Sequence, residues 1–530
     1  MATAKGTKLK LGFLASDVAI MKNTTPKLGV LLFFIAATVG HAKEPLVPHR
    51  DHGGPELRVP GPVRTPIQHE KYFRGERELF GYYPRFLPGV VTFGPDNEPY
   101  IAAGWYFQTV DASSVWQTLD ISQHVRKTIA EATGYVSFSD PHLSFDQDGD
   151  AYLLGRIIRT GNRFQYGLFH SQDRCRTWTF YPTPTQLERL ERLEAHNELL
   201  GPPPMVEGRG GELRLVVAKK NDDGSLRIDK QLVVAKVVSP VAGKGRHWIT
   251  PRHSGAGNVT ATFGGKTHIV WLSIQPLAFH RAAAEKLSKY MRNGYTPYAG
   301  RFELESLAPC YAATYDHTTE TLSEPTILGF TLRDAHNGPV ISVNSQGDLH
   351  VIIGAHHDNF LYTRSLQSNS TRSWSQPKPL GIPKQKAGEG SYTYTGLVCA
   401  PDDTLHLVSR WAGSGYYFRL VYQRKKRGAE WEPHQELVVP FRANYSAWYH
   451  SLNVDRRGRL FLNYSYLALQ LTPEEKTAYR KKWPGDGYRR EGAQESGVRR
   501  HDPSMLISDD GGDAWRIALT QDFAAGITDS

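Results

Sequence analysis

The feature that most constrains this chain is a strand–turn–strand unit that returns along its length. In the clearest copy, an apolar segment leads into a polar turn at residues 344–348, and a second apolar segment follows at 349–353. Two short apolar segments joined by a tight polar turn predict a β-hairpin. A polar approach at 334–337 precedes this hairpin, and His356 and His357 follow it.

The same unit recurs on both sides of this copy. Its other turns lie at residues 94–97, 146–149, 208–211, 264–265, 401–403 and 455–458. A spacing of roughly 40–60 residues is typical of four-stranded propeller blades. The 26 Tyr, 22 Phe, 49 Gly and 33 Pro of the chain favour many short strands and turns. The sequence therefore predicts an all-β fold, a seven-bladed β-propeller over residues 86–530.

Three segments depart from the hairpin pattern and predict short helical insertions. They are residues 186–200, residues 282–292 and a segment that begins with Thr472-Pro473-Glu474-Glu475, where a capping box and an early proline are typical of a helix start.

Two outer-strand turns carry another motif. Residues 508–515 fit the Asp-box pattern S-x-D-x-G-x-x-W, and residues 171–178 fit it with Cys175 in place of Gly. An Asp-box stabilises a turn and does not define a chemistry.

The N-terminus predicts export. An apolar segment at 28–39 follows Lys22 and Lys27 and precedes small residues that end at Ala42. This pattern is typical of a signal peptide over residues 1–42, with Met21 as an alternative start. Residues 43–85 then read as an irregular lead-in. We expect a secreted or periplasmic protein without a membrane span.

The net charge limits the kinds of binding partner, and the cysteine content limits the kinds of disulfide or metal site. The formal net charge of +10 suits an acidic polymer. The sequence shows no basic patch interleaved with aromatic residues, the pattern that would predict nucleic-acid binding. Three cysteines are too few for a disulfide framework or a cysteine-based zinc motif. We expect a monomer whose partner is an acidic polysaccharide.

Candidate site residues lie where the innermost strands begin, because these strands line the channel of a propeller. His336 and Tyr394 stand at the same distance before the turns at Asn344 and Asp402. Tyr449 precedes the next turn at a distance that period-two alternation places on the same face. Arg410 follows on the returning strand and offers a fixed positive charge to a carboxylate.

An imidazole, phenols and a guanidinium suit one reaction in particular, β-elimination on a uronic acid. A cation beside the uronate carboxylate makes the C5 proton easier to remove. A base takes that proton and an acid protonates the departing O4, without a metal or organic cofactor. The residues alone leave open whether His336 or Tyr394 is the base.

These residues also form a family signature spread over three blades. Its parts are Asp334-Ala335-His336-Asn337 with His350 and His356, then Thr393-Tyr394-Thr395 with Pro401-Asp402 and Ser409-Arg410, then Ser446-Ala447-Trp448-Tyr449. The set resembles BNR-repeat polysaccharide lyases and is most similar to seven-bladed ulvan lyases and rhamnose–glucuronate lyases.

This resemblance implies His336, Tyr394 and Arg410 as catalytic residues. It also implies His356 and Tyr449 as further active-site residues, and we add Asn337 as a substrate contact. Some members carry a structural metal. The resemblance therefore leaves open whether this chain binds a structural zinc or calcium ion, and it assigns no ligands. Thr395 stands where the family has Pro, and Asp403 where it has Gly.

The sequence leaves three functions open. The first is a lyase that cleaves a uronate-containing polysaccharide of the ulvan type. The second is a hydrolase on the same scaffold, such as a rhamnosidase; most glycoside hydrolases need two carboxylates across the site. The third is a carbohydrate-binding propeller without turnover.

Overall fold

Seven antiparallel β-sheets follow one another along the chain, and each is built from one contiguous segment. The structure is a computed structural model. It describes residues 91–527 except 104–105, 114, 130–131, 139–142, 162, 210, 238–248, 251–256, 296–297, 299–305, 335, 337, 355–357, 382–390, 413–417, 439–446, 471–498 and 519. The predicted signal peptide, the lead-in at 43–85 and the helix predicted at Thr472 lie outside the described residues.

The first three blades occupy the N-terminal half of the described chain. Blade 1 contains Val91–Phe93 (β1), Pro99–Ala103 (β2), Tyr106–Val110 (β3) and Trp116–Asp120 (β4). Blade 2 contains Ala132–Phe138 (β5), Ser144–Phe145 (β6), Ala151–Arg159 (β7), Arg163–Ser171 (β8) and Thr179–Pro182 (β9). Blade 3 contains Arg189–Leu190 (β10), Met205–Arg209 (β11), Glu212–Lys220 (β12) and Leu226–Lys236 (β13).

Four further blades follow. Blade 4 contains Ile249–Thr250 (β14), Thr260–Phe263 (β15), Lys266–Ser273 (β16), Leu307–Asp316 (β17), Thr321–Leu322 (β18) and Thr326–Leu332 (β19). Blade 5 contains Val340–Val343 (β20), Leu349–Ile353 (β21), Phe360–Arg364 (β22) and Lys378–Leu380 (β23). Blade 6 contains Ser391–Cys399 (β24), Leu405–Ala412 (β25), Phe418–Lys425 (β26) and Gln435–Val438 (β27). Blade 7 contains Ala447–Val454 (β28), Leu460–Gln470 (β29), Arg499–Ser508 (β30) and Arg516–Ile517 (β31).

The predicted seven-bladed β-propeller is confirmed, and every predicted hairpin turn joins two neighbouring strands. Six of these hairpins pair an innermost strand with the next one out, as in β20 and β21. In blade 3 the hairpin at 208–211 joins β11 and β12, because the short β10 is the innermost strand there. Polar turns between apolar strands therefore predict the positions of the blades well, but they predict the number of strands within a blade less well.

The ring closes by packing and by turn contacts, since no sheet of the described chain shares strands from both ends of the sequence. The rings of Phe93 in blade 1 and Phe461 in blade 7 lie 4.8 Å apart. The Nδ2 of Asn97 donates to the Oδ2 of Asp455 at 2.9 Å, and the backbone N–H of Arg456 donates to the Oδ1 of Asn97 at 2.8 Å. Both the apolar core and the turns thus join the first blade to the last.

Both Asp-boxes fold as turns between outer strands. In the second box the Oγ of Ser508 donates to Asp510 at 2.8 Å, and the backbone N–H of Ala514 donates to the same carboxylate at 2.9 Å. In the first box Cys175 adopts a φ of 65°, a left-handed conformation that favours glycine. Its backbone N–H donates to Ser171 Oγ at 3.0 Å, so the motif forms despite the substitution.

Three short α-helices lie among the described residues: Ile121–Thr128 (α1), Arg281–Arg292 (α2) and Thr520–Ala524 (α3), with a 3-10 turn at Leu277–Phe279. The insertion predicted at 282–292 is confirmed by α2, which buries Ala283 and Leu287 one helical turn apart. The helix predicted at 186–200 is wrong: β10 and an irregular segment with a turn occupy these residues. Within the described part of the chain, no helix is long and apolar enough to cross a membrane.

Candidate active site and the channel segment

His336 lies in the loop that leads into β20, at the start of the innermost strand of blade 5. Asp334 fixes this loop, because its Oδ1 accepts the backbone N–H of His336 at 2.8 Å and lies 2.6 Å from the Nδ1 of the ring. This contact raises the pKa of His336 above the ordinary histidine value, while burial and the charge of Arg410 oppose the rise. With Nδ1 donating to the carboxylate, Nε2 of the neutral ring carries the lone pair. The side chain of His336 is 48% exposed, so a ligand can reach it.

Tyr394 stands on β24, the innermost strand of blade 6, at an irregular point. Its backbone φ is 60°, and the pairing of β24 with β25 shifts by one residue between Thr393 and Thr395. This β-bulge turns the extra residue out of the regular alternation of the strand. Its ring packs against that of His336 with 6.5 Å between centroids and a 63° angle between planes. Bulge and strained backbone therefore bring the phenol to the imidazole.

Arg410, on β25, lies beneath Tyr394. Its Cζ is 4.3 Å from the centre of the Tyr394 ring, a cation–π contact, and its Nε donates to Thr393 Oγ1 at 2.9 Å. The side chain is only 1% exposed. Arg410 is therefore a buried, fixed charge covered by a phenol, whereas the sequence predicts a fork open to a carboxylate.

The structure thus brings His336, Tyr394 and Arg410 together. It leaves the three other predicted substrate contacts undescribed. His356 and Asn337 lie outside the described residues, and for Tyr449 only the backbone is described. That backbone carries a second pairing shift, between Trp448 and Ser451. Alternation from the turn therefore does not fix the face of Tyr449, since the bulge interrupts it.

Two residues support the site although the sequence assigns no role to either. Asp334 stands two positions before His336, and an acidic residue at that spacing is the signal that predicts an Asx turn. His450, on β28, is fully buried; its Nε2 donates to the backbone carbonyl of Val408 at 2.9 Å, and its ring also interacts with the backbone of Tyr394. Burial lowers the pKa of His450 to about 4, so the ring is neutral. His450 supports the bulge of β24 from the neighbouring blade.

The other end of the channel is filled by residues 189–199, which we call the channel segment. From β10 the chain crosses the channel and meets the ends of the innermost strands of several blades. Glu191 accepts a hydrogen bond from Thr262 Oγ1 at 2.8 Å, and Arg192 donates to Asn453 Oδ1 at 2.5 Å. These contacts lie near the turns that close the strands, whereas His336 and Tyr394 lie where the strands begin.

Three charged side chains of the channel segment, those of Glu191, Arg192 and Glu194, are buried. The Nη2 of Arg192 lies 3.2 Å from the Oε1 of Glu194, and Glu194 also accepts from Ser342 Oγ at 3.0 Å. Burial raises the pKa of Glu194, and the charge of Arg192 opposes the rise. Burial also raises the pKa of Glu191, to about 8. These polar groups form their contacts with distant strands, which is the physical reason why the predicted helix at 186–200 does not form.

One group of the described residues has the donors of a metal site: His196 of the channel segment, with Cys399 and Asp403 at the end of β24. Their ligand atoms lie within 4.8 Å of one another. The sequence alone does not indicate these residues as metal ligands, because they are far apart in the chain.

Comparison with known proteins finds a family match over the C-terminal blades. Residues 298–528 match the family described as BNR repeat-containing family member. No curated protein sequence matches the chain.

Similar solved structures include three carbohydrate-processing enzymes. The NanB sialidase from Streptococcus pneumoniae is 11% identical, with 72% of this chain and 65% of that chain covered and a TM-score of 0.33. The alpha-L-arabinanase of Penicillium chrysogenum is 12% identical over 77% of this chain and 94% of its own, with a TM-score of 0.34. The GH74 xyloglucanase from Xanthomonas campestris is 13% identical over 73% and 53%, also with a TM-score of 0.34.

This chain covers less than two thirds of the sialidase and about half of the xyloglucanase. The sequence match to the BNR repeat-containing family extends over blades 5 to 7 and the outer strands of blade 4, the part of the chain that carries His336, Tyr394 and Arg410.

Proposed function

We propose that this protein is an exported lyase that cleaves an acidic polysaccharide at a uronate by β-elimination. One observation carries the proposal: the His336 ring packs against the Tyr394 ring, and the Arg410 guanidinium lies 4.3 Å from that same phenol. Elimination needs a base, an acid and a positive charge within one sugar ring of each other.

In the proposed reaction His336 is the base. Its Nε2 takes the C5 proton of the uronate, because Asp334 occupies Nδ1. The electron pair of the C5–H bond forms the C4–C5 double bond, and the C4–O4 bond breaks. The hydroxyl of Tyr394 gives its proton to O4, so the products are an unsaturated uronate and a new chain end. Proton transfers of this kind contribute roughly 10²–10⁴-fold to rate.

Arg410 stabilises the negative charge that builds up on the uronate carboxylate as the C5 proton leaves. A charge that is buried and held by Thr393 requires no rearrangement during the reaction, and the low dielectric around it strengthens its effect. The net charge of +10 favours the approach of an anionic polymer. Export accords with a polymeric substrate, and the scheme uses no metal or organic cofactor.

The proposal is tested by incubating the purified protein with a panel of uronate polysaccharides, ulvan among them. Ultraviolet absorbance reports the conjugated double bond, and a reducing-sugar assay runs in parallel. We expect absorbance and new reducing ends to appear together on at least one polymer. Reducing ends without absorbance would identify a hydrolase instead, and binding without either signal would identify a carbohydrate-binding propeller.

A hydrolase finds less support in the site. The carboxylate of Asp334 is hydrogen-bonded to His336 and so already has a partner in the site. The usual hydrolytic mechanism needs a second carboxylate on the other side of the scissile bond.

A further inference from the structure

We propose that the hairpin formed by β7 and β8 of blade 2 binds a stretch of anionic polysaccharide at the mouth of the channel, across the ring from His336. We call residues 156–166 of this hairpin the arginine hairpin. The inference rests on the proposed function only for the class of polymer. It adds a second region of contact with that polymer, away from the reacting sugar.

The arginine hairpin carries positive charge without acidic residues to offset it. Arg156, Arg159 and Arg163 all lie in it, and residues 151–172 contain no aspartate or glutamate. Arg156 and Arg163 form no ion pair with the described part of the chain. The Nε of Arg159 donates to the side chain of Gln165, whereas the Nε of Arg156 has no hydrogen-bond partner. Positive charge that the fold does not offset attracts an anionic partner.

An exposed aromatic ring lies beside this charge. Phe164 is 52% exposed, and the Cζ of Arg156 lies 4.7 Å from the centre of its ring. The guanidinium thus packs on the ring by a cation–π contact. The exposed part of the ring offers an apolar surface that leaves water when the face of a sugar packs on it. Ring and guanidinium together suit a sugar that carries a negative charge.

Strand pairing places the ring and the guanidinium on one side of the hairpin. Leu154 lies opposite Leu168, and alternation along each strand puts Arg156 and Phe164 on the same face as this pair. Leu154 and Leu168 are buried in a core cluster that also contains Met205 of blade 3. The Arg156–Phe164 pair therefore stands at the open edge of the groove between blades 2 and 3.

The arginine hairpin lies at the same end of the propeller as His336. The polar turns of blades 5, 6, 7, 1 and 2 all lie at the other end, because they touch in sequence. The touching pairs are Ser345 with Asp403, Pro401 with Gly458, Asp455 with Asn97, and Pro95 with Gly149. Each second strand runs away from its turn. The far ends of β7 and β21 therefore both lie at the end where His336 precedes β20.

The hairpin also projects from this end of the propeller. β7 has nine residues and β21 has five, and each begins directly after its polar turn. Four more residues at roughly 3.3 Å each carry the hairpin about 13 Å further out. Blade 2 stands across the ring from blades 5 and 6, which carry His336 and Tyr394. A polymer that reaches both regions spans the mouth, so the arginine hairpin favours long chains over short ones.

The experiment titrates the full chain, without turnover, with polygalacturonate, dextran sulfate and neutral dextran. We expect dextran not to bind. The affinity for an anionic polymer should fall by about two- to fivefold in Arg163→Gln and by about two- to tenfold in Phe164→Ala. Added salt should weaken binding in the unmodified chain. Melting temperatures should stay the same, because both side chains are exposed.

Arg372→Gln is the matched control. Arg372 is exposed, and its turn lies at the other end of the propeller, where the backbone N–H of Asn369 donates to the carbonyl oxygen of Gly347 at 2.7 Å. The substitution removes the same charge as Arg163→Gln but should leave the affinity unchanged. A general effect of net charge predicts equal losses in both variants, and that result would overturn the proposal.

The polymers distinguish the recognised group. Tighter binding of polygalacturonate identifies a carboxylate, and tighter binding of dextran sulfate identifies a sulfate ester. No cleavage is measured, so failure of the lyase chemistry leaves this test intact. Unchanged affinity in both Arg163→Gln and Phe164→Ala would overturn the proposal. Absence of binding to both anionic polymers, equal binding of dextran, or a preference for a single-stranded oligonucleotide over both polymers would overturn it as well.

Discussion

The two ends of the propeller channel use similar residue types for opposite purposes. At one end His336 is half exposed, Tyr394 has a strained backbone and Arg410 is a buried charge beneath a phenol. At the other end Glu191, Arg192 and Glu194 of the channel segment are fully buried and contact the innermost strands. The first end offers groups to a ligand, and the second uses its charged groups in contacts within the fold.

The difference shows why charge alone does not locate a site. Both ends contain arginine and histidine beside carboxylates, and each has a residue with a positive φ, Tyr394 at one end and Asp403 at the other. The ends differ in exposure, because the side chain of His336 is 48% exposed and that of His196 is 11% exposed. Strained conformations persist where surrounding structure holds them, and they concentrate at functional sites. The charged side chains of the channel segment instead form contacts that hold the segment in place. Four predictions test this contrast, from the largest expected effect to the smallest.

Removing the Tyr394 hydroxyl should have the largest effect. If this phenol transfers a proton, Tyr394→Phe lowers kcat by roughly 10²–10⁴-fold without loss of fold. Tyr392→Phe is the matched control on the same strand, because that buried hydroxyl contacts His434 at 2.6 Å instead. Initial rates by ultraviolet absorbance measure both variants. Equal rates for Tyr394→Phe and the unmodified chain would exclude the phenol from the chemistry.

Breaking the ion pair of the channel segment should destabilise the protein without altering His336, Tyr394 or Arg410. Arg192→Met leaves Glu194 buried without its nearest cation and should lower the free energy of unfolding by about 3–5 kcal/mol. Arg214→Ala, which breaks an ion pair with Glu212 at the surface, should cost at most about 1 kcal/mol. Denaturant titration compares the two. A similar loss in both variants would contradict the view that the channel segment is held by buried charge.

His450 should matter for position and not for proton transfer. His450→Phe removes the support of the Tyr394 bulge, and a misplaced phenol should lower kcat by up to about 10²-fold. His406→Phe is the control, because that histidine is also buried in the fold but its Nδ1 contacts Tyr422 at 2.7 Å. Stability and kcat are measured for both. A positioning role predicts similar stability losses but a kcat loss only for His450→Phe, with the pH profile of the residual activity unchanged.

The smallest change concerns pH. Asp334 raises the pKa of His336, and a base must be deprotonated to act, so activity should rise as pH increases through a value above that of ordinary histidine. In Asp334→Asn the charge is lost and the pKa falls, which moves this acid limb of the kcat profile to lower pH. A shift of the alkaline limb would show instead that His336 donates the proton and Tyr394 accepts it.

The fold was largely predictable from the sequence because it depends on local patterns. Each polar turn between apolar strands forms where it is expected, and α2 forms where alanine and leucine recur at helical spacing. The channel segment was predicted wrongly for a related reason. Leu187 and Leu190 stand at helical spacing, but both are buried in the blade core. Arg192, which follows them, forms a hydrogen bond with Asn453 on a distant strand. Tertiary contacts overrode the local pattern.

The sequence by itself determined the repeated hairpins, the seven blades and the identity of His336, Tyr394 and Arg410 as candidates. It did so because strand alternation and turn chemistry act over a few residues. Only the tertiary structure decided that Arg410 lies beneath Tyr394, that a bulge re-aims this tyrosine, and that residues 189–199 fill one end of the channel. Contacts between residues far apart in the chain depend on how the blades close into a ring, and that closure is not written in any short stretch of sequence.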